Sequence, residues 1–567
     1  MTVLAERTPL HIPQLHSFDN EGITYAVDAE APNWVAVEER GAELLAWVRR
    51  AEESGVPIAF GSLVARYAAA KNLEAGKAWL HVHDFLASLD RAGMLSDTPF
   101  ARVPYAGRGS LIAPAGLREL WLQINNNCNL SCTHCLVSSG PGGIPGLTPD
   151  QVAALVDRAS ELGVERIYIT GGEPFLRRDI FDLAHRITET HGIELIVLTN
   201  ATLFAGRVKD GLAALDPKRI HFQVSIDGAS PETNDPIRGA GTFVKALEGA
   251  RILSDFGFDV SLTTVTTEEN LDELVAIPAI VKSVGAKSQH LMWSHKRGRA
   301  VESDNGFFPE QARLVESVLK VIDAARAEGT LLDNFEAVKR RVNGMPGLKY
   351  DLGNAGWDSL CVYADGKVYP SAALANERPL VCGDVQDHDL EAIIASSPVI
   401  RRLREATLAN NRSVSADPFR FLTGGGDLEH AWCFTGDFHG PDPYYPISVA
   451  LAKRVMTELG REKHERKNSR SGYDAPLVLH AMGDGAISCG TADGVLAEEP
   501  VLTLHSNCVL SFDVDKPRAK VREFYGNAAE TPQAELCCPT KYDHSAISHI
   551  PQDVLDRFYG CGSPMTT

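Results

Sequence analysis

Positive charge is in short supply: 55 Lys and Arg stand against 74 Asp and Glu, a formal net charge of −19. A nucleic-acid surface needs clustered basic side chains to neutralise phosphates, so this balance argues against a large one. Long apolar runs are missing as well. No stretch approaches the roughly 18 residues that a membrane-crossing helix requires. The start, Met1-Thr2-Val3-Leu4-Ala5-Glu6-Arg7, lacks the basic region and apolar run of a secretory signal. The expectation is a cytoplasmic protein with neither nucleic acid nor membrane as partner. Cysteine, by contrast, is not scarce. Eleven thiols in a chain without an export signal imply a reducing compartment, where close spacing marks metal binding rather than disulfides. A chain of 567 residues is long enough for about three or four domains, each with its own core.

The chain is organised around Cys128-Asn129-Leu130-Ser131-Cys132-Thr133-His134-Cys135. These thiols follow directly on Leu120-Trp121-Leu122-Gln123-Ile124, an apolar run with the character of a buried strand. Thiolates are soft ligands that select zinc or iron–sulfur clusters. A structural zinc site wants a fourth thiolate or imidazole nearby. The segment offers only His134, set between two of the cysteines and poorly placed to close a tetrahedron with them. Three ligands from one loop point instead to a four-iron cluster with one iron left open. A zinc knuckle, or three unrelated buried thiols, is the plainer alternative.

The Cys-x3-Cys-x2-Cys spacing resembles the signature of the radical S-adenosylmethionine (radical SAM) enzymes. Ile167-Tyr168-Ile169-Thr170-Gly171-Gly172-Glu173-Pro174 is similar to the second strand and Gly-Gly-Glu-Pro turn of that family. Residues 195–200 resemble its third strand, Val224-Ser225-Ile226-Asp227-Gly228 its fourth, and Arg238-Gly239 the turn that follows. The resemblance implies a [4Fe-4S] cluster on Cys128, Cys132 and Cys135, with S-adenosylmethionine chelating the open iron. It further implies an electron donor such as flavodoxin or ferredoxin, and a 5′-deoxyadenosyl radical that takes hydrogen from substrate. Cofactor contacts come with it: Gly171 and Gly172 letting the backbone approach the methionine amino group, and Glu173 receiving its ammonium. Ser225 and Arg238 would hold the carboxylate, with Asn200 and Asp227 near the ribose or adenosine. The plainer alternative is a set of strand-end turn residues and a surface cation.

Periodicity supports the same architecture. Strands are predicted at 119–125, 166–170, 193–199, 221–226, 259–266 and 288–293, with helices such as 150–162, 180–190 and 243–256 between them. Such alternation implies parallel strands joined by right-handed crossovers. The fold class expected is α/β, with a partial (β/α)6 TIM-type barrel over 118–335 and chemistry at the C-terminal strand ends. Ahead of it, residues 1–17 read as a loose arm. Ile23-Thr24-Tyr25-Ala26-Val27 and Trp34-Val35-Ala36-Val37 read as strands, followed by helices at 42–51, 60–70 and 78–92. Residues 99–117 read as a linker from their Pro and Gly. Strands followed by three helices resemble the PqqD-like peptide-recognition domain, typified by the chaperone of pyrroloquinoline quinone biosynthesis. On that resemblance, 1–98 is a winged-helix-like α+β domain that captures a leader peptide as an added strand. A module that only packs on the barrel is the alternative.

Beyond the barrel, Lys296-Arg297-Gly298-Arg299-Ala300 resembles the turn that closes the sixth strand in peptide-modifying members. In Cys361-Val362-Tyr363-Ala364-Asp365-Gly366-Lys367-Val368-Tyr369-Pro370, Asp-Gly between apolar runs signals a hairpin. With Cys382 it resembles the SPASM extension, which carries auxiliary iron–sulfur clusters, and 336–450 is assigned to such an α+β unit. Ser371 stands where that family usually has cysteine, and only Cys433 follows Phe421-Leu422-Thr423-Gly424-Gly425-Gly426-Asp427. One auxiliary cluster is therefore expected, from Cys361, Cys382, Cys433 and either Cys489 or Cys508, against a cluster-free fold with buried thiols. Residues 453–470 read as a solvated basic helix. Residues 473–567 make a cysteine-containing C-terminal segment. In it, Val521-Arg522-Glu523-Phe524-Tyr525-Gly526 resembles the entry of a methyltransferase family linked to arsenic and thiol chemistry. Cys537, Cys538 and Cys561 could there trap a soft metal or metalloid.

These resemblances imply radical modification of a ribosomally synthesised precursor peptide by crosslinking, cyclisation or thioether formation, with the leader peptide as partner. Two readings compete with it. One is a radical SAM enzyme acting on a thiol- or arsenic-bearing small metabolite. The other is an inactive binding scaffold, against which the intact cysteine triplet argues.

Overall fold

Every side chain of Glu119–Asn125 is buried in the computed structural model, which describes residues 4–114, 116–302, 307–468, 477–482 and 501–504. A strand covered on both faces belongs inside a parallel sheet. Glu119–Asn125, Arg166–Gly171, Glu194–Thr199, Ile220–Ser225, Asp259–Thr266 and Ser288–Trp293 run parallel in chain order, and the short strand Leu331–Leu332 follows them. Period-two alternation sorts their side chains. Leu120, Leu122, Ile167, Ile169 and Val197 pack with the helices in an aliphatic core. Trp121 and Tyr168 face the other way, stacked 3.9 Å apart. The helices Pro149–Glu161 and Thr242–Asp255 begin and end close to expectation. The first starts at a capping box in which the Thr148 hydroxyl accepts from the Gln151 amide. The single helix expected over 180–190 divides into Ile180–His185 and a wider π turn, Arg186–Thr190.

The sheet continues past the barrel. Ser359–Val362 pairs parallel with Glu119–Asn125, and Lys367–Tyr369 and Gly383–Asp384 continue it antiparallel, giving ten strands. Two expectations about connecting segments need correction here. Arg108, in the segment expected to be a linker, is fully buried. Its guanidinium donates to the carbonyls of Asp351, Gly353, Leu403 and Ala406 and lies 4.7 Å from the Trp357 ring. The basic run after residue 453 belongs to Tyr445–Asn468, which is more than a solvated helix. It buries Ile447, Leu451, Val455 and Met456 in a core with Trp34, Leu314 and Val318.

Nor are the first residues a loose arm. Pro9–Leu10 pairs with Ile58–Ala59, and Leu10 and Ile12 are buried. Leu15–Asn20 is a further strand, joined to Ile23–Asp28 by Glu21 and Gly22, whose φ values of 51° and 75° make the tight turn. Trp34–Val37 comes next, and the helices Glu39–Glu53, Phe60–Lys71 and Ala75–Arg91 share a core with this sheet. A fourth strand, Val478–Ala481, pairs antiparallel with Trp34–Val37 at the outer edge. Val501–Leu504 pairs with Lys349–Gly353. Cys489, Cys508, Cys537, Cys538, Cys561 and the stretch 521–526 lie outside the described residues. Among the described residues, no helix is long and apolar enough to cross a membrane.

Candidate functional site

The C-terminal ends of the barrel strands enclose a cavity of about 240 Å³. Of the residues singled out in the sequence, Cys128, Cys132, Cys135, Gly171, Gly172, Asn200, Ser225 and Arg238 line it together; Glu173 and Asp227 do not. Two of the sulfur atoms face N–H donors. The Leu130 amide lies 3.4 Å from Cys128 Sγ, the Ser139 amide 3.3 Å from Cys135 Sγ, and Asn200 Nδ2 3.9 Å from Cys128 Sγ. Arg299 Nε donates to the Cys132 carbonyl at 2.7 Å. Burial pushes the Cys128 thiol up to about 12 and raises that of Cys132, which Arg238 opposes. Thiols so averse to ionising alone become ligands when a metal displaces the proton. Donors aimed at the sulfurs suit atoms that then carry charge. By the chemistry of its donors, the triplet suits the thiolate side of an iron–sulfur cubane.

Gly171 and Gly172 are required by packing as well. A Cβ on Gly171, where φ is 124°, would lie 2.1 Å from the Asn125 carbonyl oxygen, and one on Gly172 2.0 Å from that of Asn127. Glycine thus lets the turn lie flat on the backbone that leads into Cys128. The Gly172 and Glu173 amides donate to those two carbonyls, each at 2.9 Å. Glu173, expected to receive the ammonium, is set back from the cavity. Its carboxylate is buried and accepts from the Phe175 amide (3.1 Å), the Thr199 hydroxyl (2.8 Å) and the Asn200 amide (2.9 Å). Burial raises this carboxyl to about 7 against those donors. It fixes the turn to the next strand end rather than facing the cavity.

Asp227, expected near the ribose or adenosine, is fully buried behind the wall. Its Oδ2 meets His134 Nε2 at 2.5 Å and Arg238 Nε at 2.6 Å, and its Oδ1 accepts from the Val265 amide at 2.8 Å. Burial works against the charge, but Arg238 and His134 outweigh it and hold the carboxyl at about 2. Asn200 spans two segments, donating to Asn129 Oδ1 (3.0 Å) and accepting from the Thr202 amide (3.0 Å). Ser225 is a half-buried part of the wall.

Several cavity residues escaped the sequence reading. Gln223 is almost fully buried on the wall, and neither amide atom has a protein partner; the Thr263 hydroxyl is in the same position. Gln123 donates to the Ala372 carbonyl at 3.1 Å. A lone glutamine at an inward position of an apolar strand was the available signal. Ser371, Ala372 and Glu429 of the C-terminal part close the far wall.

Of the residues expected to hold an auxiliary cluster, Cys361 and Cys433 border one core and Cys382 another, while Cys489 and Cys508 lie outside the described residues. Cys361 packs with Trp121, Tyr363 and Tyr369, whereas Cys382 packs with Leu360, Val362 and Val368 in the aliphatic core. Cys382 precedes the strand Gly383–Asp384, and it is packing that separates the two thiols. Cys382 Sγ instead donates to the Leu380 carbonyl at 3.6 Å. Cys433 lies on the short helix Leu428–Thr435, half-buried. Burial raises all three thiols.

The profile of the radical SAM superfamily matches residues 122–277. A mycofactocin maturase of Mycolicibacterium smegmatis is 30% identical over 69% of this chain and 97% of its own length. An AdoMet-dependent heme synthase of Methanosarcina barkeri is 26% identical over 57% of this chain and 94% of its own. An antilisterial bacteriocin subtilosin biosynthesis protein of Bacillus subtilis is 26% identical, covering 50% and 60%. Among solved structures, native anSMEcpe with bound AdoMet has a TM-score of 0.51 at 16% identity, covering 62% of this chain and 100% of that one, and so shares the fold.

Proposed function

The chain belongs to the radical SAM superfamily and is a radical SAM enzyme, and from that premise we propose that it modifies a ribosomally synthesised precursor peptide. A four-iron cluster and S-adenosylmethionine, when bound, supply reductive formation of the 5′-deoxyadenosyl radical, with an electron donor such as flavodoxin or ferredoxin. This chain's own residues do the rest. Cys128, Cys132 and Cys135 hold the cluster, and Gly172 and Glu173 brace the loop that carries them. Arg238 is held by Asp227 at the cavity wall, where a carboxylate would meet it, and Ser225 and the unpaired amide of Gln223 offer polar contacts. On this reading 1–98 is the peptide-recognition part, 118–335 the barrel, and 336–450 a SPASM-like extension that closes the cavity without an auxiliary cubane on Cys361 and Cys382.

One observation carries the peptide reading: the N-terminal sheet takes up an extended segment along its outer edge, at Trp34–Val37. Added-strand pairing is a general mode of peptide recognition. The maturase and bacteriocin-biosynthesis relatives favour the same substrate class. The heme synthase relative favours a second reading, a small-molecule substrate, though the arsenic- and thiol-directed version of it rests on residues outside those described. The deciding experiment is anaerobic reconstitution with S-adenosylmethionine, reductant and a short peptide encoded beside this gene, followed by mass spectrometry. Loss of a hydrogen pair from the peptide, with 5′-deoxyadenosine formed, supports the proposal. Release of 5′-deoxyadenosine with every such peptide unchanged would move the assignment to a small molecule.

A further inference from the structure

The strand at the outer edge of the N-terminal sheet does not come from that part of the chain. All the buried residues of the local core lie within 10–95, except Leu477, Val478 and Ala481. The sheet of Leu15–Asn20, Ile23–Asp28 and Trp34–Val37, with its three helices, thus has a core of its own, and residues 477–482 are laid against it from the far end of the described chain. Their pairing is antiparallel: Val478 opposite Val37, His480 opposite Ala36, Ala481 opposite Val35, with an irregularity between Val478 and His480. The Glu38 amide donates to the Leu477 carbonyl (3.1 Å) and the Met482 amide to the Trp34 carbonyl (2.9 Å), clamping both ends. The His480 ring stacks on Trp34 at 4.9 Å. A Cβ on Gly41 would lie 2.4 Å from the Leu477 carbonyl oxygen, so the helix Glu39–Glu53 is shaped to admit that backbone.

We propose that this edge is the peptide-accepting surface, that residues 477–482 are its resident occupant, and that a precursor peptide enters by displacing them. The resident strand is outermost in its sheet, short and irregular in register. Its release uncovers apolar positions on both faces, Leu479 and Met482 against the core of Tyr445–Asn468 and Leu477, Val478 and Ala481 against the three helices. The incoming segment is an extended peptide with uncharged, mainly apolar residues on both faces and a small residue where Ala481 lies, since all six resident residues are buried. The identity of the incomer rests on the peptide reading above; the strand exchange does not.

The test uses the full chain and a labelled peptide copying residues 475–485 as probe. Met482→Pro removes the amide that donates to Trp34, and Leu479→Ala weakens the apolar anchor while leaving every backbone bond in place. Circular dichroism and 5′-deoxyadenosine formation check that each variant is folded. Fluorescence anisotropy is expected to show weak binding to the natural chain and binding at least about tenfold tighter to both variants. Hydrogen exchange at Glu38 should be slow in the natural chain, fast in the variants, and slow again with probe bound. Equal affinity for all three proteins, or no binding to any, overturns the proposal. A tight probe complex alongside unmodified precursor peptides would sink only the peptide reading, because the probe is this chain's own sequence.

Discussion

His134 Nε2 lies 2.5 Å from Asp227 Oδ2, the same oxygen that meets Arg238 Nε at 2.6 Å. The histidine sits inside the cysteine triplet, yet it points to a neighbouring strand end instead of toward a metal. One buried carboxylate therefore locks the cluster loop to the arginine of the cavity wall. Asp227→Asn should strand a buried guanidinium and cost about 3 kcal/mol or more. Thermal melts should register that loss, with 5′-deoxyadenosine formation falling at least about tenfold. A variant with natural melting and natural turnover would mean that the lock is ornamental.

Single Ala replacements of Cys128, Cys132 and Cys135 each remove one thiolate from a three-ligand site. Each should abolish 5′-deoxyadenosine formation under anaerobic reconstitution with excess S-adenosylmethionine. Undiminished cleavage in any of the three would break the assignment of the cluster.

Iron content separates one cluster from two. With Cys361 and Cys382 in different cores, the reconstituted protein should bind about four irons, and a Cys128/Cys132/Cys135→Ala triple variant should bind none. Four irons retained by the folded triple variant would show that the C-terminal part builds a cubane by rearranging those thiols.

Burial holds the His221 imidazole at about 3, below its ordinary 6.5. The folded chain keeps it neutral, whereas an unfolded chain protonates it below pH 6.5. Its contribution is thus fully present above pH 6.5 and is lost as pH falls toward 3. His221→Gln loses packing at every pH but escapes this term. Its stability deficit relative to the natural chain should shrink by about 2 kcal/mol between pH 7 and pH 5. Parallel denaturant titrations at the two pH values measure it, and a constant deficit would contradict a neutral buried ring.

Arg108→Met keeps much of the stem but leaves four carbonyls without their donor. A loss of about 3 kcal/mol is expected, seen as a lower unfolding midpoint. If residues 99–117 were a free linker, the midpoint would not move.

The barrel was legible because strand-forming runs alternate with helical ones and its motifs fall at the strand ends: the strands 119–125, 259–266 and 288–293 match the structure end to end. Leu15–Asn20 was hidden because its side chains are half-exposed or exposed, and so carry little apolar signal. Arg108 lies among Pro and Gly that read as a spacer, and nothing local announces four distant carbonyls. Cys382 looked like a ligand by proximity to a hairpin, but its packing against Leu360, Val362 and Val368 is set by tertiary structure that no local pattern announces. Glu173 and Asp227 were placed in the right neighbourhood. The donors that occupy them come from other segments, and spacing alone does not reveal that. The partner of Trp34–Val37 was beyond any local pattern, since it arrives from the other end of the chain.

Pairing of Ser359–Val362 with Glu119–Leu122 has a consequence for how the molecule can be divided. The strand that delivers the cysteine loop is an interior strand only while residues 359–362 lie beside it. A chain ending near residue 335 would turn Glu119–Asn125, buried along its whole length, into a bare rim with unpaired amides and carbonyls. Such a rim is a template for joining another copy. The barrel and the part that follows it thus persist or fail as one body, and the break between them visible in the sequence is no place to cut.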